Sequence, residues 1–496
     1  MPAMRRRQML RAGTGAGATL LLPPLLGGCG GSESAEGSAG AVNEEARDIG
    51  GFSEAGEPLP RGIHVSFSDD PRSTRTLTWF TDTTRDPGTM IEYGPVTPDM
   101  DAEAIRNAPF PARAKGDVDP VFDVDALTHR VVAHGLDPEL PVRYRVGGPG
   151  AWSSVRVLRA APPKPDRFRF CHFGDSGVTA PAAWVRDGVM DMAPDFLIVA
   201  GDLSYADGNQ PVWDEWFQQM QPLLAGTPMM ASPGNHENKD ANGRGYLSRT
   251  THFSPPGSRG WYSFDYGRVH FVASTGGAFV ADLRLPVEIL WLEQDLARAA
   301  LRRAAGEIDF IIFFNHFTVW TDQEGRGPND PLLVTLLEQI VLRYGVDLLV
   351  VGHDHIYQRS HRMAYGRQAE NGYVQVTQGA GGKSMRGFDP ISDWSAVAER
   401  RFSFCEYEVE PEHITLRTWA VDDADNQRGQ GLELIDELSI GLRNMLLRNK
   451  AAQTPRQRGE LLSDIGAIES NTLRRNQRPC PSDHHHHHFQ RRPRPG

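Results

Sequence analysis

The chain reads as an α/β protein, a four-layer α/β/β/α sandwich preceded by an all-β sandwich, and three observations carry that reading. Between about residues 168 and 357, five short apolar runs each stop at Asp, Asn or His. That is the pattern of buried strands handing polar side chains to a sheet edge, where α/β proteins place their ligands. Stretches with apolar residues at helical spacing separate these runs, and further strand-like runs follow them. Residues 61–160, by contrast, alternate short β-rich runs with Pro, Gly and Asp.

Taken in order, the N-terminus is a targeting segment and not part of the fold. Arg5-Arg6-Arg7-Gln8-Met9-Leu10-Arg11 fits a twin-arginine export pattern. The Ala/Gly/Leu-rich run to Leu26, interrupted by Pro23-Pro24, is too short and broken to span a membrane. Leu26-Gly27-Gly28-Cys29 is similar to a bacterial lipobox, which implies a lipidated Cys29 in an exported, periplasmic or extracellular, membrane-anchored lipoprotein. An ordinary cleaved signal with an incidental Cys29 is the alternative. Residues 30–60 are rich in Gly, Ser, Glu and Ala and read as a flexible spacer.

The all-β region is expected to hold strands at residues 77–81, 89–93, 129–134 and 142–146. Gly135-Leu136-Asp137-Pro138, followed by Tyr144, resembles the corner of a fibronectin type III sandwich. Trp79 and Tyr144 are then core and corner residues with no part in chemistry. Pro162-Pro163-Lys164-Pro165 marks a linker.

A second domain is expected over residues 166–442. Helices are predicted at 181–192, 212–224, 287–303 and 331–344, a hairpin at 261–274 turning at Tyr266-Gly267, and strands at 373–378, 402–410, 414–420 and 433–440. Residues 443–496 are Arg-rich, carry Pro and the run His484 to His488, and read as a basic, largely disordered tail. Whether that His run binds metal weakly or is a tag stays open. Cys29, Cys171, Cys405 and Cys480 make neither a disulfide framework nor a Cys-x-x-Cys site. Cys171 and Cys405 read as small buried residues, with one bridge between them as the alternative. A formal net charge of −11 argues against non-specific nucleic-acid binding, so an anionic substrate must be drawn by local charge.

The five polar endings are Gly174-Asp175-Ser176-Gly177, Gly201-Asp202-Leu203-Ser204-Tyr205, Gly234-Asn235-His236-Glu237, Phe313 to His316, and Gly352-His353-Asp354-His355. Taken singly, a strand-end Asp is a turn former and a lone His a satisfied core residue. Together, carboxylate, amide, phenol and imidazole donors at strand ends match the needs of a metal. In His353-Asp354-His355, an extended backbone would point both rings the same way, one to each of two cations.

In content and order these blocks resemble the calcineurin-like metallophosphoesterase superfamily and, within it, the purple acid phosphatases. The common opening Asp-x-His is replaced here by Asp175-x-Gly177, and Tyr205 stands where purple phosphatases supply a phenolate, which implies Fe(III) in the first site. The resemblance assigns Asp175, Tyr205 and His355 to the first metal, and Asn235, His316 and His353 to a second metal, Fe(II), Zn or Mn. Asp202 bridges the two. It implies an exported phosphomonoesterase that attacks a small-molecule phosphate ester with a metal-bound hydroxide, with His236 binding or protonating the substrate and Glu237 orienting that ring. Plant-type members place a His pair after the fourth block, whereas residues 317–330 offer Trp320, Asp322, Glu324 and Arg326. Those acids would repel a phosphate dianion, so a phosphodiesterase or nucleotide hydrolase is the rival enzyme reading. A non-catalytic surface-binding protein with a structural metal site is the rival from another class. His172, His252, His270, His361 and His413 read as structural, and Gly379-Ala380-Gly381-Gly382-Lys383 as a turn near the site.

Overall fold

A computed structural model describes residues 51–282 and 284–442. The expected export signal with Cys29, most of the spacer, Cys480 and the tail with its His run lie outside the described residues.

Residues 61–158 form two four-stranded sheets. One has the order Arg61–Ser66, Arg75–Thr81, Leu127–Ala133, Asp117–Pro120, and the other Ala112–Lys115, Met90–Pro95, Val142–Gly147, Arg156–Leu158. Alternate residues of the central strands, among them Ile63, Val65, Leu77, Trp79, Ile91 and Val146, face inward and fill the sandwich. The edge strands Ala112–Lys115 and Asp117–Pro120 were not legible in the sequence because their residues are mostly polar and half-exposed. Tyr144 is fully buried, as expected, but its hydroxyl donates to the Ala225 carbonyl of the second domain at 2.5 Å. Arg61 bridges Asp82 and Asp214, the Ile63 N–H donates to Gln221 Oε1 at 2.8 Å, and His64 stacks on Phe217 at 4.6 Å. The helix Pro211–Leu224 is thereby the seat of the β-domain.

The second domain is the expected four-layer sandwich. A six-stranded sheet runs Met229–Ser232, Phe196–Ala200, Phe168–Phe173, Ser403–Glu410, His413–Asp422, Arg428–Gly441, and a seven-stranded sheet faces it in the order Tyr262–Tyr266, Val269–Ala273, Phe310–Phe314, Leu348–Val351, Val374–Gln378, Tyr357–Ser360, Ser395–Glu399. Period-2 alternation assigns each layer: Phe310, Ile312 and Phe314 enter the core between the sheets, whereas Ile311 and Phe313 turn outward to the core that contains the helices. Phe168–Phe173, Phe196–Ala200 and Met229–Ser232 are mutually parallel, and so are Val269–Ala273, Phe310–Phe314 and Leu348–Val351. Parallel neighbours finish at the same edge, so all five polar endings are brought to one end of the sandwich.

One expectation changes and one alternative falls. Residues 331–344 form two helices, Pro331–Thr335 and Leu337–Arg343, instead of one. The Thr335 hydroxyl bonds back to the Pro331 carbonyl at 2.8 Å, a bond of the kind that bends helices. Cys171 and Cys405 are free and buried, and the bridge is ruled out by register. Cys171 opposes Glu406 while Cys405 opposes His172, so the two thiols point to opposite faces of the sheet.

His270 is a structural ion, with Nδ1 2.7 Å from Asp265 and Nε2 2.7 Å from Asp295, while Arg302 holds Asp265. Burial opposes charging the ring, but hydrogen bonds and charges of Asp265 and Asp295 outweigh it and raise His270 to about 9. A folded value above the unfolded one means that the stabilisation is complete below about pH 6.5 and fades as pH rises through about 9. We therefore expect His270→Gln to cost roughly 3 kcal/mol at pH 6. In denaturant titrations the gap to wild type should narrow steadily up to pH 10; a gap that is constant with pH is the contrary result.

Candidate metal centre

The strands deliver their ligands through unusual backbone. Asp175, Asp202, Tyr205 and His353 all have positive φ, between 52° and 71°, a left-handed conformation that costs an ordinary residue roughly 1–2 kcal/mol. Their loops are held by one another. Asp175, Ser176 and Gly177 donate to the carbonyls of Gly201, Asp202 and Leu203 at 2.8–3.1 Å, and Gly352 donates to that of His316 at 3.0 Å. Glycine before the ligand is a matter of space: a Cβ on Gly201 would lie 2.4 Å from His316 Nδ1, and one on Gly234 would lie 2.3 Å from Asp202 Oδ1.

Seven donor side chains converge in two groups. Asp175 Oδ2, Tyr205 Oη and His355 Nε2 lie 3.0–3.2 Å from one another. Around His316 Nε2 stand Asn235 Oδ1 at 3.0 Å, His353 Nδ1 at 3.1 Å and Asp202 Oδ2 at 3.1 Å. Asp175 and Asp202 are essentially inaccessible.

This arrangement suits cations. His316 Nδ1 is committed to the Ala200 carbonyl at 2.7 Å, so a neutral His316 presents a lone pair at Nε2 to neighbours that themselves present lone pairs. His355 Nδ1 meets Ser384 Oγ at 2.7 Å, which likewise turns Nε2 inward. Oxygen and nitrogen donors without a thiol select borderline and hard ions. Without a cation, a proton takes that place. Burial disfavours charge on His316, yet Asp202 and Asp175 raise it to about 9, and burial of Asp202 is outweighed by His316 and His236, which hold it well below the usual carboxylate range.

Residues 353–355 are not extended. The strand ends at Val351 and His353 is left-handed, so the two rings diverge to separate donor groups through a bend. Asp354, pointing the other way, is fixed by Arg326 at 2.8 Å and Thr318 at 2.9 Å. Glu237 does not orient His236: its carboxylate accepts the N–H groups of Asp202, Leu203 and Gly234 at 2.7–3.3 Å. His236 Nδ1 is instead 2.7 Å from Asp207, and its ring lies 4.2 Å from that of Tyr205. Asp207 was missed, although it stands only two places beyond Tyr205, the end of the second block. Ser384 and Gln323, which receives the His355 N–H at 2.8 Å, left no signal in the sequence. Asp322 is buried and accepts from Gln358 and Ser392, so it is a structural acceptor and not a rim charge. The loop after Gly379 does border the site, since Gly381 and Lys383 donate to the carbonyls of Gly174 and Asp175 at 3.0 Å. His361 is an exposed surface residue.

Comparison with known proteins agrees with this geometry. Residues 168–357 match the family model described as Calcineurin-like phosphoesterase, and residues 60–160 that described as Purple acid Phosphatase, N-terminal domain. The chain is 28% identical over 292 residues to Purple acid phosphatase 23 of Arabidopsis thaliana, a match that covers 52% of this chain and 62% of that one, less than two thirds of its length. It is 28% identical over 416 residues to Acid phosphatase type 7 of Homo sapiens, across 74% of this chain and 89% of the human one. A solved purple acid phosphatase from yellow lupin (Lupinus luteus) seeds shares the fold, with TM-score 0.64 and 19% identity over 80% of this chain and 76% of that one.

Glu237 offers a test of how the site is held. An amide has one acceptor oxygen and cannot serve both Asp202 with Gly234 on one side and Leu203 on the other, so Glu237→Gln should disturb the loop that carries Asp202. Zinc affinity measured by chelator competition should fall about 10–100-fold, the usual cost of losing such a support, with an unchanged far-UV circular dichroism spectrum. Unaltered affinity would show that the Asp202 loop is held by other means.

Proposed function

From the premise that the chain belongs to the calcineurin-like metallophosphoesterase superfamily, with the domain order of a purple acid phosphatase, we propose that it is a phosphomonoesterase working through two metal ions. The observation that carries the reading is the convergence of seven donors from five strand ends beside His236. Asp175, Tyr205 and His355 would hold the first ion, Fe(III). Asn235, His316 and His353 would hold the second, Fe(II), Zn or Mn, and Asp202 would serve both. When bound, such a pair supplies Lewis acidity toward phosphoryl oxygens and a water acidified toward neutral pH.

The chain's own residues do the rest. Asp202 is fixed by Glu237 through its N–H, while its Oδ1 accepts the N–H of His236 at 2.9 Å. His236 keeps Nδ1 on Asp207, so proton transfer falls to Nε2. Its proton passes to the departing alkoxide as the P–O bond breaks, and Asp207 offsets the charge on the ring while it waits. Asp322 commits its oxygens to Gln358 and Ser392 and so does not turn them toward an arriving phosphate. That weakens one objection to a monoester, and the His236–Asp207 pair is not required by a merely structural metal site.

The purified protein should cleave para-nitrophenyl phosphate in preference to the bis-ester. His236→Ala should keep both metals by elemental analysis while kcat falls about 10²–10⁴-fold. Loss of metal in that variant, or one ion or fewer per chain under every loading condition, contradicts the proposal. Tyr205→Phe should abolish a broad visible band of the iron-loaded protein, and a band that survives removes Tyr205 from the first site.

We also propose export and anchoring through the segment ending at Cys29. Cys29→Ala should move the mature protein from the membrane to the soluble fraction in cell fractionation, and an unchanged distribution contradicts the tether.

A further inference from the structure

Gly177 lies where the wider superfamily has a His, and the space so freed is filled by Lys383. A Cβ built on Gly177 would stand 3.2 Å from Lys383 Cδ and 3.5 Å from Tyr205 Cδ2. The Lys383 stem therefore lies over Gly177, and its ammonium rests 4.7 Å from the centre of the Tyr205 ring. Its backbone N–H is tied to the Asp175 carbonyl at 3.0 Å, so the loop that presents it is fixed to the first donor group. Tyr205 also contacts His236, at 4.2 Å between ring centres. One aromatic ring thus has a half-buried ammonium and the proton-handling imidazole as neighbours.

The cations around the site differ in how they are paired. Arg326 donates to Asp354, whose carboxylate is buried, and that ion pair commits its charge to the loop carrying His353. Lys383 pairs with no carboxylate among the described residues. An ammonium needs hydrogen-bond acceptors, and the face of a ring satisfies it electrostatically without using its N–H donors fully. The carboxylates of Asp175 and Asp202 are taken up by their own donor groups. What the ammonium still lacks is an anion arriving from solvent.

Resting on the phosphoesterase reading above, we propose that Lys383 is a specificity-determining residue: its ammonium, laid on the Tyr205 ring over Gly177, binds the extra negative charge of a phosphomonoester and so selects monoesters over diesters. A monoester dianion carries two anionic oxygens beyond its ester linkage and a diester one. A cation beside the site discriminates between them by one charge–charge interaction in a partly dehydrated setting. The same chemistry applies to inorganic phosphate, which would bind as a competing product.

The test uses the full chain loaded with metal, as wild type, Lys383→Met and Lys383→Arg. Methionine keeps the unbranched stem over Gly177 and removes the charge. With Lys383→Met, kcat/KM for para-nitrophenyl phosphate should fall about 10–100-fold, mainly through KM, as expected for loss of one close charge pair. The value for the bis-ester should change less than about 3-fold, and Lys383→Arg should restore the monoester preference. A parallel loss on both esters, or no loss on either, overturns the proposal. So does a shifted visible band with an unchanged ester ratio, because Lys383 would then act on the Tyr205 ring alone. If wild type cleaves neither ester, the phosphoesterase reading fails, and calorimetric titration with inorganic phosphate still decides the role of Lys383: equal affinities in wild type and Lys383→Met overturn it, and weaker binding in the variant supports it.

Discussion

Asp202 and His316 meet 3.1 Å apart at the end of the sandwich, and they come from different sheets. Asp202 follows Phe196–Ala200 of the six-stranded sheet and His316 follows Phe310–Phe314 of the seven-stranded one. Two buried polar groups are tolerated only if they find each other, so the gap between the sheets must be fixed closely. Aromatic contacts from one sheet to the other fix it, Phe168 on Tyr266 at 4.6 Å and Phe170 edge-on to Phe271 at 5.3 Å among them. Beneath the site His172 adds a direct stitch, with Nε2 3.1 Å from the Val351 carbonyl across the sheet interface. Burial lowers His172 to about 3 and keeps it neutral. The packing of the inner core is for this reason a functional constraint as much as a stabilising one.

The β-domain reaches the same site by another route. It sits on Pro211–Leu224 through Arg61, Ile63 and His64, and the same helix turns Trp216 toward Ser176 Oγ at 3.1 Å and Trp213 toward Asp240 at 2.8 Å. Ser176 follows Asp175, and Asp240 ends the short helix Asn235–Lys239 that carries Asn235 and His236. Both indole N–H groups are buried donors, so each ties its loop to the helix at a hydrogen bond that is costly to lose. A domain that contributes no donor to the site thereby props two of its five loops from behind. It also explains why Tyr144 gives its hydroxyl bond to Ala225, at the end of this helix, and binds the two domains together.

Much of this was legible because the relevant signals are local. A strand that stops at Gly-Asp or Gly-Asn shows its ligand in three or four residues, and parallel order then brings those ends together. The glycines are readable for the same reason, since Gly201 and Gly234 exist to clear His316 and Asp202. What stayed hidden depends on contacts distant in sequence. Nothing near Ser384 announces that it will meet His355, and Glu237 looked like a partner for adjacent His236 until the fold put it under Asp202. The bend at His353 was missed because a period-2 reading assumes that a strand continues, whereas Asp175 pulls the His353 N–H inward at 2.7 Å and turns the chain. The acids after His316 misled in the opposite sense. Asp322 looked like a rim charge and proved to be the acceptor that closes a loop onto Ser392.

The energetics of the site point one way. Asp175, Asp202 and Glu237 are all buried within one end of the sandwich, and burial together with the Asp202 charge pushes Glu237 up to about 8. Four of the donor residues also adopt left-handed backbone, at roughly 1–2 kcal/mol each. Nothing in the hydrophobic effect rewards such an assembly, and the hydrogen bonds between loops only hold it in place. Positive charge at its centre changes the balance: it offsets the carboxylates directly, frees His316 from serving as their counter-ion, and is held only by the folded chain. Cation binding and folding are then linked, because ligands scattered between residues 175 and 355 form no such cluster when unfolded. The strain that makes the loops unfavourable alone is the same feature that keeps their donors aimed inward, ready for the ions and for the phosphate they are proposed to receive.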